Sequence, residues 1–164
     1  MRQLVEANHP ELGANGLVNH YGISQDFLNV HRNGSGAAPP SQAQSLKFLY
    51  VMNYTLQKNL RFILQALAQA KAEGLPVQVV ITSWLDTGPR TCFAQDMAFI
   101  EEHDLISAGY LVPVGPKYGT DLVQLYREVD ACVFPSFCES FGHPLVEALA
   151  MGKALVCADR EYAR

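Results

Sequence analysis

From Leu46 onward the chain repeats one arrangement: a short apolar run, a loop, and then apolar residues at helical spacing. The runs at 46–52, 77–81, 109–114, 131–134 and 154–157 have strand length. Residues 59–73 place Leu60, Phe62, Ile63, Ala66, Leu67 and Ala70 on a helical stripe, and Gly74 stops it. Residues 91–105, 121–129 and 144–151 read as helices too, the last with proline first and Gly152 just beyond its end. Strands that are apolar throughout and alternate with helices are covered on both faces. The expected fold is therefore α/β, a Rossmann-like three-layer domain with a mainly parallel sheet. Ligands of such sheets sit at the carboxyl ends of the strands, so chemistry is sought in the loops after Met52, Ile81, Val114 and Phe134.

Residues 1–42 read differently. They are rich in Asn, Gly, His, Ser and Pro, with a strand-and-turn candidate at 16–23 and linker chemistry at 31–41. The reading thus divides the chain into an N-terminal strand, turn and linker segment over 1–42 and a ligand-binding domain over 43–164. A hydrophobic share of 49% with 17% charged residues fits a globular domain of this length. The formal net charge of -4 and the scatter of the twelve Lys and Arg residues argue against a nucleic-acid partner. No apolar run approaches the ~18 residues of a transmembrane segment, and the N-terminus lacks a signal-peptide pattern. Cys92, Cys132, Cys138 and Cys157 have neither CxxC spacing nor a His at ligand spacing. Reduced thiols in a cytoplasmic setting are expected, with no metal.

The segment after the 131–134 run carries the chemistry. It reads Pro135-Ser136-x-x-Glu139-Ser140-Phe141-Gly142-x-Pro144-x-x-Glu147-Ala148-x-Ala150-x-Gly152. A strand feeds a loop holding Glu139, Gly142 lets the backbone bend, and a helix begins at Pro144 with its first amides aimed into the loop. Glu147 stands in a helix that is apolar nearly all round, which implies burial on more than one face and a partner for the carboxylate. By spacing alone, Glu139 also reads as a solvated loop acid, and Glu147 as an acid satisfied by the helix dipole and water.

Taken whole, the segment resembles the E-x7-E motif of family 4 (group 1) glycosyltransferases, a retaining group with the GT-B fold. The similarity continues in Leu125-Tyr126-Arg127-x-x-Asp130-Ala131, in the 154–159 run, and in Phe48-Leu49-Tyr50-Val51 followed by Lys58-Asn59-Leu60. The resemblance implies the C-terminal, donor-binding half of a GT-B fold, incomplete at its own C-terminus and without the N-terminal acceptor domain. Such a chain would bind a nucleotide-diphosphate sugar and transfer nothing by itself.

The resemblance also assigns roles. Glu139 would contact the donor sugar, Glu147 the ribose hydroxyls and Lys58 the diphosphate, whose charge grows as it leaves. Backbone at Phe141, Gly142 and His143 would face the sugar or diphosphate, and Val114 and Gly115 the nucleobase. Asn53 stands where such enzymes usually carry an arginine on the diphosphate, and Arg90 is a candidate substitute from the next loop. No cofactor is implied besides the donor substrate, and no Asp-x-Asp is present for a metal. Rival readings are a non-catalytic nucleotide-sugar-binding or interaction module, a nucleotide-sugar epimerase of the same fold, and an unrelated flavodoxin-like domain. The free sheet edge is a candidate for self-association.

Overall fold

The computed structural model describes residues 24–32, 45–85 and 91–163. Five strands, β1 (Leu46–Tyr50), β2 (Val77–Ile81), β3 (Leu111–Pro113), β4 (Ala131–Phe134) and β5 (Ala154–Cys157), form one sheet in the order β3-β2-β1-β4-β5. Every pairing is parallel. The expected α/β fold with a parallel sheet is what the chain adopts. Its strands lie within the predicted runs, with 46–52 shortened to Leu46–Tyr50 and 109–114 to Leu111–Pro113.

Helices pack on both faces of the central strands, while the edge strand β5 is largely exposed. α2 (Leu60–Ala72) buries Leu60, Ile63, Leu64, Leu67 and Ala70, a stripe at helical spacing that packs with Tyr50, Val79, Ile81 and Phe134. Leu64 takes the place the periodicity gave to Phe62, which is 57% exposed. α3 (Thr91–Glu102) packs beside α2. On the other face, Leu49, Val80 and Cys132 meet Leu122, Val123 and Tyr126 of α4 (Gly119–Arg127) and Ala148 of α5 (His143–Ala150).

Two readings need correction. α5 is not buried all round, since Leu149 is 66% exposed and only Leu145 and Ala148 within it are buried. Described elements cover one side of it, so its apolar composition overstated its burial. A helix the periodicity did not reveal, α1 (Gln25–Arg32), also precedes the sheet. It docks on α4 and α5 through Phe27, which is 2% exposed with its ring edge-on to Tyr126 at 5.4 Å. The 16–23 strand, most of the 31–41 linker and Arg90 lie outside the described residues.

Polar groups set the sheet's register at its amino end. Lys47 and Asp130 are joined twice, by the Lys47 amide to the Asp130 carboxylate at 2.8 Å and the Asp130 amide to the Lys47 carbonyl at 2.9 Å. Lys153 is buried, and its ammonium donates to the Val129 carbonyl at 2.7 Å, just past the end of α4. A cation there complements the helix dipole and satisfies a carbonyl that the helix leaves open. Lys153→Met keeps the stem and removes the head, so a loss of about 1 kcal/mol is expected in urea denaturation.

Candidate functional site at the sheet's switch point

The strand order reverses between β1 and β4, so the connections leaving their carboxyl ends part to opposite sides and leave a crevice. The loop after β1 and the loop after β4 meet there and are joined by backbone. The Phe137 amide donates to the Gln57 carbonyl at 2.8 Å, and the Asn59 side-chain amide to the Pro135 carbonyl at 3.2 Å. Thr82 extends the β1–β2 pairing past the strands, accepting from the Met52 amide at 3.0 Å and so placing Asn53.

Lys58 ends a single 3-10 turn, Leu56–Lys58, and Asn59 follows in the left-handed region at φ 55°. That reversal lets α2 start at Leu60, with Asn59 as its cap. The Tyr50 hydroxyl donates to the Lys58 carbonyl. The Lys58 ammonium lies 2.6 Å from Glu139 Oε1 and 5.2 Å from the centre of the Phe134 ring. Both partners of the pair are largely buried, with side chains 15% and 14% exposed. Two residues eighty-one positions apart are thereby held together.

Glu147 faces the same crevice from α5. Gly142 caps that helix at φ 76°, and a Cβ there would stand 3.0 Å from Leu145, so glycine alone lets the loop turn in so closely. The Tyr126 hydroxyl donates to Glu147 Oε2 at 3.0 Å. Burial raises the Glu147 carboxyl above its ordinary range, while the Tyr126 hydrogen bond and the neighbouring His143 pull the other way. Burial likewise raises the Tyr126 phenol, with the Glu147 charge adding to it, so the phenol remains a donor.

These residues surround a cleft of about 420 Å3, lined among others by Asn53, Lys58, Thr82, Lys117, His143 and Glu147. Four predicted residues, Asn53, Lys58, His143 and Glu147, therefore share one cavity, and Glu139 joins it through Lys58. The remaining four do not line it. Phe141 packs its ring 4.9 Å from that of His143, and Gly142 lies beneath Leu145 and Phe134. Val114 packs into the core, and Gly115 is covered by Trp84, whose ring leaves no room for a Cβ. Sequence reading missed Thr82, Lys117 and Tyr118 in the cleft wall, and Tyr126 behind Glu147. Only Tyr126 had a signal, as part of the quoted lead-in to β4.

A second cavity, about 500 Å3, lies between α2 and the sheet. Its lining, from Phe48, Phe62 and Val79 to Val156, contains no Asp, Glu, Lys or Arg, so it offers a phosphate no charged side chain. Among the described residues, no group of His, Cys, Asp and Glu is arranged to hold a metal, and no helix is long and apolar enough to cross a membrane.

A family model described as glycosyl transferases group 1 matches residues 45–164. No curated protein sequence matches the chain. Among solved structures, a glycosyltransferase from Rickettsia africae is 16% identical with a TM-score of 0.67, over 96% of this chain and 42% of that one. Sucrose-phosphate synthase from Thermosynechococcus elongatus is 18% identical with a TM-score of 0.64, over 96% and 38%. HepE from Anabaena, solved with UDP and glucose, is 19% identical with a TM-score of 0.60, over 87% and 35%. At these identities the likeness shows a shared fold. The chain spans little more than a third of the length of such neighbours.

Proposed function

The chain belongs to the group 1 glycosyl transferases, and from that premise we propose that it holds the nucleotide-diphosphate-sugar donor of a retaining, family 4 transferase. The observation that carries the reading is the meeting of Lys58, Glu139 and Glu147 at the sheet's switch point. Lys58, from the loop after β1, and Glu147, from α5, line one cleft there, and Glu139, from the loop after β4, pairs with Lys58. UDP in the Anabaena HepE structure supports a uridine nucleotide as the first ligand to try.

In this reading Glu147 accepts hydrogen bonds from the ribose hydroxyls. Tyr126 occupies one of its oxygens, leaving the other for the ligand. Lys58 meets the diphosphate, and Glu139 lies where the sugar begins. Transfer breaks the bond from the anomeric carbon to the diphosphate oxygen and forms one to an acceptor hydroxyl, which gives up its proton. The diphosphate keeps the bonding pair and gains a negative charge, which a cation fixed beforehand stabilises without reorganisation. In this reading the acceptor is held by a domain other than the donor-binding one. A cytoplasmic setting belongs to the same proposal and rests on the cysteine pattern.

Isothermal titration with UDP, GDP and ADP, each beside its nucleoside, tests the reading. One diphosphate should bind at least tenfold more tightly than its nucleoside and than the other two. Failure of all three to bind would overturn it.

A further inference from the structure

We propose that Lys117, on the loop from β3 to α4, is a second cation for the donor's diphosphate, acting across the cleft with Lys58. The inference rests on the donor-site reading above. Its basis is the charge already present in the cavity. A nucleoside diphosphate brings two to three negative charges, yet the Lys58 ammonium is engaged by Glu139 at 2.6 Å. Asn53 is neutral, and Glu147 adds an acid to the wall. An anion entering this cleft must draw Lys58 from Glu139 or meet another cation.

Lys117 is that cation. It lines the cleft and is half-buried, and among the described residues it takes part in no ion pair. The backbone before it is fixed. The Val114 amide donates to the Ile81 carbonyl at 3.0 Å, and Gly115, at φ 70°, is pinned under the Trp84 ring. The loop base is therefore set while the flexible stem keeps its reach, which suits an ammonium acting as a point charge on phosphate.

The test is titration of wild type, Lys117→Gln and Lys117→Arg with UDP, GDP, ADP and their nucleosides at two salt concentrations. Lys117→Gln should weaken the preferred diphosphate about tenfold, change its nucleoside less than about twofold, and flatten the salt dependence, because one screened charge has gone. Lys117→Arg should stay within about threefold of wild type for the diphosphate, since the charge remains. Unchanged diphosphate affinity in Lys117→Gln, or an equal loss for the nucleoside, would overturn the role of Lys117 while wild-type binding keeps the donor reading intact. If wild type bound no nucleotide, both would fall.

Discussion

Glu147→Ala is expected to weaken UDP and uridine alike, by about 100-fold, because both ligands carry the ribose. Hydrogen bonds to a carboxylate contribute about 1.5–3 kcal/mol each, and the variant loses the acceptor altogether. The equal loss separates this acid from Lys58, which the nucleoside does not need. Glu147→Gln should show what the charge costs the fold. Burial raises the Glu147 carboxyl, so the folded chain binds this proton more tightly than the unfolded chain. Stability from the group is therefore fully present below the ordinary carboxylate range and declines as pH climbs through the raised value. A glutamine can still accept from Tyr126 and carries no charge to desolvate. Its melting temperature should accordingly gain on wild type as pH climbs above the ordinary carboxylate range. Wild-type affinity for uridine should run the other way, rising with pH as the carboxylate ionises, whereas Glu147→Gln should be weak and flat. A wild-type affinity independent of pH, measured by calorimetry, would remove Glu147 from the ribose site.

Much of this could be read from residue order because it depends on near neighbours. The run at 77–81 is β-branched at four of its five positions, and β2 occupies just those residues, with Val79, Val80 and Ile81 buried. Gly142 and Pro144 marked the start of α5 within a residue. Elements whose stability comes from distant contacts were hidden. α1 is short, and its buried Phe27 packs against Tyr126 ninety-nine positions away. Lys117 and Thr82 look like ordinary loop residues until the order β3-β2-β1-β4-β5 brings their loops beside the motif helix. The same holds for α5, whose apolar composition stated how much it could bury, whereas its neighbours decide how much it does bury. A spacing of eight between Glu139 and Glu147 likewise said little. Their common cleft depends on a reversal at Gly142 and on a lysine that neither acid adjoins in sequence.

Lys58→Ala should weaken UDP by about 100-fold and uridine by less than about threefold, since the diphosphate alone needs the cation. Destabilisation should accompany this loss, because Glu139 would lose its ion-pair partner in a site where its side chain is only 14% exposed. Glu139→Gln should act in the opposite direction on the ligand. It releases the Lys58 ammonium from its 2.6 Å partner, so UDP should bind several-fold more tightly while uridine is unaffected. The stability cost of both changes together should be smaller than the sum of the single costs, with a coupling of about 1–3 kcal/mol in a double-mutant cycle by urea denaturation. The two readouts divide the ion pair's work. Coupling without any gain in UDP affinity would make the pair a brace between the loops after β1 and β4. Coupling together with that gain means that Glu139 holds the lysine in place until a donor arrives, and is then left free to face the sugar.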